Sequence, residues 1–136
     1  MVSRGGESSG TPSDTLWRVE SQDLRRFVEF DEDAVHRATV HETEHLWAQV
    51  LCFERNQAYG PVSDAGSDAV LTIVAGEAVV LVGAGRKRIK QWETALVPAG
   101  KEISIVNASA DPLVILLVAA PPPPPAPRDE TGATTP

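Results

Sequence analysis

The segment His41-Glu42-Thr43-Glu44-His45 holds the residues with the most obvious capacity for chemistry. Its spacing is that of H-E-x-x-H, the pattern with which zinc hydrolases hold their metal ion. On a helix, the two imidazoles lie on one face and bind the metal, and the glutamate polarises the bound water. The pattern therefore raises a zinc hydrolase as one hypothesis.

The sequence around this motif disfavours the helix that zinc chemistry requires. A helix from Asp33 to Phe53 would carry many β-branched residues, which lower helix propensity. These residues are Val35, Thr39, Val40, Thr43 and Val50. We therefore expect a solvated acidic turn between two strands. An accessory metal site at His41 and His45, completed by a neighbouring glutamate, is the alternative.

The composition is that of one folded domain. The chain has 136 residues, of which 42% are hydrophobic, enough to bury a core. Its net charge of −7 argues against a general nucleic-acid or anionic-membrane binder. The N-terminal stretch lacks the apolar core of a signal peptide, and the apolar run from Leu113 to Ala120 is too short to span a bilayer. We expect a cytoplasmic protein without nucleic-acid or membrane partners.

The sequence predicts one folded domain between two disordered tails. Residues 1–14 are rich in Gly, Ser and Pro, and residues 121–136 begin with five prolines, so both tails are predicted to be disordered. Residues 15–120 between them are predicted to form one domain. A short helical turn is expected over 21–27, with Ser21 as its cap.

The strand signals recur at close and regular spacing after residue 35. Strands are expected over 35–40, 46–55, 69–74, 77–82, 86–91, 94–97, 103–107 and 113–119. Ala75-Gly76 is predicted to be a hairpin turn between two of them. No long helical period interrupts this series, which predicts an all-β sandwich or barrel.

Residues 98–107 resemble the second motif of the cupin family, Pro-x-Gly-x-x-His-x-x-x-Asn. Pro98, Gly100 and Asn107 match that motif, and Gly76-Glu77 resembles the end of the first cupin motif. The glycine that usually opens the second motif is Trp92 here. The resemblance covers about residues 30–120 and implies a cupin-type β-barrel or jelly roll.

The same resemblance implies that the cupin metal ligands have been replaced. Cupins bind a metal with a His-x-His pair, a glutamate and the histidine of the second motif, a set that suits first-row transition metals. In this chain Val62 and Asp64 occupy the two positions of the His-x-His pair. Asp68 or Ala69 occupies the position of the glutamate, and Ile103 occupies that of the last histidine. Because isoleucine and valine have no lone pair to donate, we expect no metal cofactor.

A metal-free cupin is the function that this pattern favours. The resemblance implies a binding or regulatory module that holds a small apolar or weakly polar ligand in the barrel. The expected pocket residues are Val62, Asp64, Asp68 and Ile103, with Gln49, Tyr59 and Trp92 lining it.

Other functions stay open. The chain could be a cupin-type enzyme, working by acid–base chemistry at Asp64 or Asp68 or through a metal at His41 and His45. It could also be a chiefly structural protein that uses its proline tail or the basic strand at 86–90. By analogy with the fold, we expect a homodimer to which the apolar segment 46–53 contributes.

Overall fold

A computed structural model describes residues 18–123, and the predicted tails lie outside this range except for residues 121–123. The described part holds one 3-10 turn, Leu24–Phe27, followed by nine strands. The strands are β1 (His36–Glu42), β2 (Trp47–Phe53), β3 (Ala58–Val62), β4 (Asp68–Ala75), β5 (Glu77–Val82), β6 (Gly85–Lys90), β7 (Thr94–Val97), β8 (Ile103–Val106) and β9 (Leu113–Ala120).

Two antiparallel sheets pack face to face, which confirms the predicted all-β barrel. The five-stranded sheet has the order β1-β2-β9-β4-β7, and the four-stranded sheet has the order β3-β8-β5-β6. Most neighbours in the sheets are distant in sequence, so long-range pairing builds the fold. The edge strands are β1 and β7 in the five-stranded sheet, and β3 and β6 in the four-stranded sheet.

The main core lies between the sheets and is filled by every second side chain of each strand. Leu71 and Ile73 of β4 are fully buried there, together with Leu51 and Phe53 of β2 and Ile105 of β8. The alternation matters for the site, because register decides which side chains of a strand point into the barrel.

A second apolar cluster covers the outer face of the five-stranded sheet. Val50, Cys52 and Val114 are buried there beneath Leu24 and Phe27 of the 3-10 turn. Strand β2 is thus buried on both faces, which explains why its sequence is apolar except for Gln49. Burial raises the pKa of the Cys52 thiol because desolvation disfavours the thiolate.

The predicted helical turn forms, but its cap is Asp23 and not Ser21. The Asp23 carboxylate accepts a hydrogen bond from the backbone N–H of Arg25 at 3.0 Å. A capping side chain must reach an N–H that lies two or three residues further on. The capping residue directly precedes the first residue of the turn, Leu24, and Asp23 holds that place, two residues after Ser21.

Gly76 does not form the hairpin turn that was predicted. Strands β4 and β5 belong to different sheets, so Gly76 is the corner where the chain crosses between them. It has a φ of 84°, and a Cβ atom there would lie 2.4 Å from the carbonyl oxygen of Pro112. Only glycine therefore permits this close approach of two backbones.

Strand β3 was not predicted, because Tyr59-Gly60-Pro61 carries turn-type residues. The strand pairs with β8 nevertheless, with a shift of register between Tyr59 and Val62. Gly60 supplies a φ of 97° at this irregularity. Glycine and proline are typical of edge strands and bulges, where they mislead a propensity argument.

Strand β6 is a charged edge. Its side chains are exposed except for Ile89, and Arg88 Nη1 lies 2.9 Å from Glu77 Oε2 on the neighbouring strand β5. The strand predicted over 86–91 therefore forms, and its basic side chains are solvated. Within residues 18–123, no helix is both long and apolar enough to cross a membrane.

Candidate ligand-binding site

Two of the positions that the cupin motifs assign to metal ligands meet inside the barrel. Val62 of β3 lies directly opposite Ile103 of β8 in the antiparallel pair, so their side chains share one face of the sheet. Ile103 is 6% exposed and belongs to the main core, against which Val62 packs. The motif alignment therefore brings these two residues together, and both are apolar.

Of the two candidates for the acid position of the motif, Ala69 faces the barrel core and Asp68 does not. Ala69 packs against the main core, whereas Asp68 precedes it on β4 and so points to the opposite face. The Asp68 carboxylate accepts a hydrogen bond from the backbone N–H of Ala99 at 2.8 Å. Asp68 therefore does not line the barrel interior, because strand alternation directs it outward.

Asp64 contacts the same turn that Asp68 holds. Its backbone oxygen accepts from the N–H of Gly100 at 2.7 Å, and its carboxylate accepts from the N–H of Gly66, also at 2.7 Å. Both aspartates thus fix loop geometry around residues 98–100. Each carboxylate accepts one backbone hydrogen bond from a turn residue.

Trp92 lies away from the predicted pocket. It is 76% exposed, and its backbone N–H donates to the carbonyl oxygen of Ile73, near the end of β4 that is opposite to Ala69. Its φ of 74° falls in the left-handed region, as expected for a position that usually holds glycine. The prediction that Trp92 lines the pocket is therefore wrong, because the turn directs its ring to solvent.

The H-E-x-x-H segment is a strand end and a turn, and not a helix. His41 and Glu42 are the last two residues of β1, and Thr43 donates its backbone N–H to the carbonyl oxygen of Leu46. His45 is exposed and lies 3.3 Å from Glu44. The helical geometry of a zinc hydrolase is thus contradicted. Among residues 18–123, no three His, Cys, Asp or Glu side chains are grouped as metal ligands.

An open cavity of about 340 Å³ lies on strands β1 and β2. Its lining is Arg37, Ala38, Thr39, Trp47 and Gln49. Arg37 is paired with the core residue Leu51, and Thr39 is paired with Gln49. Paired residues share a face, so these side chains belong to the face of the sheet that is directed into the barrel. The cavity is therefore an open, polar region at the edge of the apolar core, with Gln49 buried at its base and Arg37 and Thr39 exposed.

Arg37 connects the two sheets across their edges. Its Nε donates to Oε1 of Gln49 at 3.5 Å, a long hydrogen bond. Its guanidinium carbon lies 5.2 Å from the centre of the Tyr59 ring on β3, within the range of a cation–π contact. The predicted lining residues Gln49 and Tyr59 therefore meet at one place, with Arg37 between them.

Trp47 forms a wall of the cavity in a fixed orientation. Its indole N–H donates to Oγ1 of Thr39 at 3.0 Å, across the pair of strands β1 and β2. This hydrogen bond uses the one donor of the indole, so the ring offers an aromatic surface to the cavity.

Sequence reasoning missed Arg37, Thr39 and Trp47 as site residues. These residues belong to no recognised sequence motif. Their common face depends on the pairing of β1 with β2, and that pairing has a register shift between Thr39 and His41. The available signal was the placement of Arg37 two residues before Thr39, with Trp47 two residues before Gln49. Such spacing puts each pair on one face of a strand.

Solved structures share this fold. An uncharacterised conserved protein with a double-stranded β-helix domain from Klebsiella pneumoniae is similar with a TM-score of 0.72 at 20% identity, over 76% of this chain and 91% of that one. The cupin domain of Cnp3 from Schizosaccharomyces pombe gives a TM-score of 0.69 at 21% identity, over 77% and 76%. The chain therefore has the cupin fold, as its motif predicted.

One solved structure is related more closely in sequence. TT1209 from Thermus thermophilus is 30% identical, with a TM-score of 0.75, over 77% of this chain and 100% of that chain. The chain therefore belongs to one family with TT1209, and it shares the cupin fold of the other two proteins. No protein-family model matches the sequence, and no curated protein does.

Proposed function

We propose that the protein is a cupin-type binding module that takes a small ligand at the barrel and uses no metal at the motif positions. The observation that carries this proposal is the pairing of Val62 with Ile103 inside the core, with Ala69 also packed against it. Their side chains offer no lone pair to a metal ion. The polar cavity next to this core supplies hydrogen-bonding groups and an aromatic surface, as small-molecule sites do.

The enzymatic alternatives find less support. The carboxylates of Asp64 and Asp68 both accept backbone hydrogen bonds from nearby turns. His41 and His45 lie on a strand end and in an exposed turn. A binding module needs neither an activated acid nor a metal, and the cavity residues Arg37, Gln49 and Trp47 can orient a ligand without either.

Metal analysis and ligand screening together test the proposal. Tag-free protein should contain far less than one equivalent of Fe, Mn, Ni or Zn after mild chelation. In a screen of neutral and charged small compounds, some should shift the NMR signal of the Trp47 indole N–H, assigned with Trp47→Phe. About one equivalent of retained metal that is lost on Asp64→Ala would contradict the proposal. So would a screen in which no compound moves the Trp47 signal.

A further inference from the structure

We infer that the β1–β2 cavity binds a small organic monocarboxylate, with Arg37 holding the carboxylate and Gln49 donating to it. This inference rests on the proposed binding function and names its ligand class.

The first support is an arginine that has no acidic partner in the described part of the chain. The ion pairs among residues 18–123 join Arg25 to Asp23, His45 to Glu44 and Arg88 to Glu77. Arg37 takes part in none of them, although the chain carries a net charge of −7. Its polar contact in the described part is the long hydrogen bond from Nε to Gln49.

The planar guanidinium is well placed for an anion. The contact with the Tyr59 ring at 5.2 Å restricts the plane of the group, and Nη1 and Nη2 donate to no oxygen among the described residues. A carboxylate matches two parallel N–H donors of arginine in geometry and charge.

The second support is a buried amide that lacks a partner. Gln49 is 3% exposed, and it lines the cavity. Its Oε1 accepts from Arg37, but its Nε2 donates to no acceptor among the described residues. Buried polar groups are nearly always hydrogen-bonded, so an unpaired donor in a cavity points to a ligand that supplies the acceptor. A carboxylate held by Arg37 would bring an acceptor oxygen to this amide.

The rest of the cavity selects a small ligand with an apolar body. Its volume of about 340 Å³ is at the lower end for ligand pockets. The indole of Trp47 has its N–H occupied by Thr39, so it offers stacking and not hydrogen bonding. Among the described residues, no lysine lines the cavity. One arginine and one amide fit a single negative charge better than a phosphate dianion.

Benzoate, its neutral isostere benzamide, and inorganic phosphate are the probes for a titration of the full chain followed by NMR. Benzoate should shift the signals of the Trp47 indole N–H and the Gln49 side-chain amide in a saturable manner. Benzamide should bind about tenfold more weakly or worse, because it lacks the charge that Arg37 recognises. Phosphate should leave both signals in place.

Variants locate the binding. Arg37→Gln should weaken benzoate binding about tenfold or more, and Gln49→Leu should weaken it less. Arg86→Gln on the distant strand β6 removes the same charge and should leave binding unchanged. Unchanged backbone spectra show that each variant is folded.

Several results would overturn the inference. They are equal binding of benzamide and benzoate, equal binding of phosphate, an unchanged affinity in Arg37→Gln, or an equal loss in Arg86→Gln. A lack of benzoate binding would do so as well. If neutral compounds from the screen still shift the NMR signal of the Trp47 indole N–H, the proposed binding function stands and only the assignment of a carboxylate ligand is wrong. Retained metal at the motif positions would contradict the module itself.

Discussion

The side-chain amide of Asn107 donates to the backbone oxygen of Phe53, which lies 54 residues earlier in the chain. Asn107 is fully buried, and its amide also donates to the carbonyl oxygen of Asp111 at 2.9 Å. It closes the cupin motif, so the asparagine of that motif ties β2 to the loop between β8 and β9. This is why the motif still identifies the fold although its metal-binding histidine is absent.

Replacing this amide should therefore destabilise the fold. Asn107→Asp keeps the shape but turns the donating nitrogen into an oxygen that faces two carbonyl oxygens. We expect a loss of about 1–3 kcal/mol in the free energy of unfolding, measured by urea denaturation at neutral pH. Ser109→Ala removes a neighbouring, less buried hydroxyl and should cost clearly less. Equal losses in the two variants would show that Asn107 has no special role.

Restoring the motif histidine alone should be harmful. Ile103→His would place an imidazole in the main core, opposite Val62, without an assured hydrogen-bond partner. We expect a cost of about 1–3 kcal/mol, measured by denaturation. Ile103→Leu keeps the apolar volume and should cost less.

A second histidine at position 62 tests whether the side chains at positions 62 and 103 converge. In Val62→His with Ile103→His, two imidazoles would face each other across the strand pair, where Cβ atoms lie about 5 Å apart. Added Ni²⁺ or Zn²⁺ should then raise the melting temperature of the double variant by binding the folded state. The single variant should respond less. A double variant that folds and ignores both metals would refute the convergence of positions 62 and 103.

Gly76 and Gly100 allow steric crowding to be separated from backbone conformation. Both have a φ of 84°, but a Cβ at Gly76 would lie 2.4 Å from Pro112 oxygen, and one at Gly100 would meet nothing within 4 Å. Gly100→Ala should cost about 1–2 kcal/mol, the penalty of the left-handed region. Gly76→Ala should cost clearly more. Thermal unfolding of the two variants measures the difference, and similar costs would count against a tight corner at Gly76.

Replacement of Trp92 by glycine should stabilise the protein. Trp92 has a φ of 74° and is mostly exposed, so its ring contributes little burial. Trp92→Gly should relieve backbone strain and raise the free energy of unfolding by about 1 kcal/mol. Trp92→Ala removes the ring but keeps the strain, and should not be stabilising. A gain in the alanine variant equal to that in the glycine variant would implicate the ring instead.

The carboxyl group of Asp23, which caps the 3-10 turn, should titrate at low pH. Arg25 lowers the pKa of Asp23 from 3.8 to about 2, chiefly through their side-chain hydrogen bond. The pair is therefore intact above pH 4 and is lost as the pH falls through about 2. NMR titration of the Asp23 carboxyl should show this pKa, and Arg25→Gln should return it towards 3.8. Arg26→Gln should change it much less, since Arg26 acts only through its charge.

The fold was predictable because apolar alternation and the Pro98-to-Asn107 motif are both local in sequence. Strand β3 escaped prediction because glycine and proline interrupt it, and its pairing with β8 is long-range. The corner at Gly76 looked like a hairpin turn because local sequence does not tell a turn within a sheet from a crossing between sheets.

The site was predictable only in part. Val62 and Ile103 could be placed together through the motif. Of the residues predicted to line the pocket with them, Gln49 lines the cavity on β1 and β2, and Tyr59 lies beside Arg37. Arg37 could not be found, because its importance comes from a contact with Tyr59 on another sheet. The segment 46–53 suggested a dimer surface, but its apolar side chains are mostly buried within the one chain.

The charged edge strand β6 affects how the protein behaves when it is concentrated. A sheet edge exposes backbone groups that a second chain can pair with, which leads to aggregation. Pairing of two β6 strands would bring Arg86, Lys87, Arg88 and Lys90 of each copy together, and Glu77 offsets only a part of that charge. This edge therefore resists growth of the sheet by repulsion, a protection that is strongest in dilute salt and weakens as ions screen the charges.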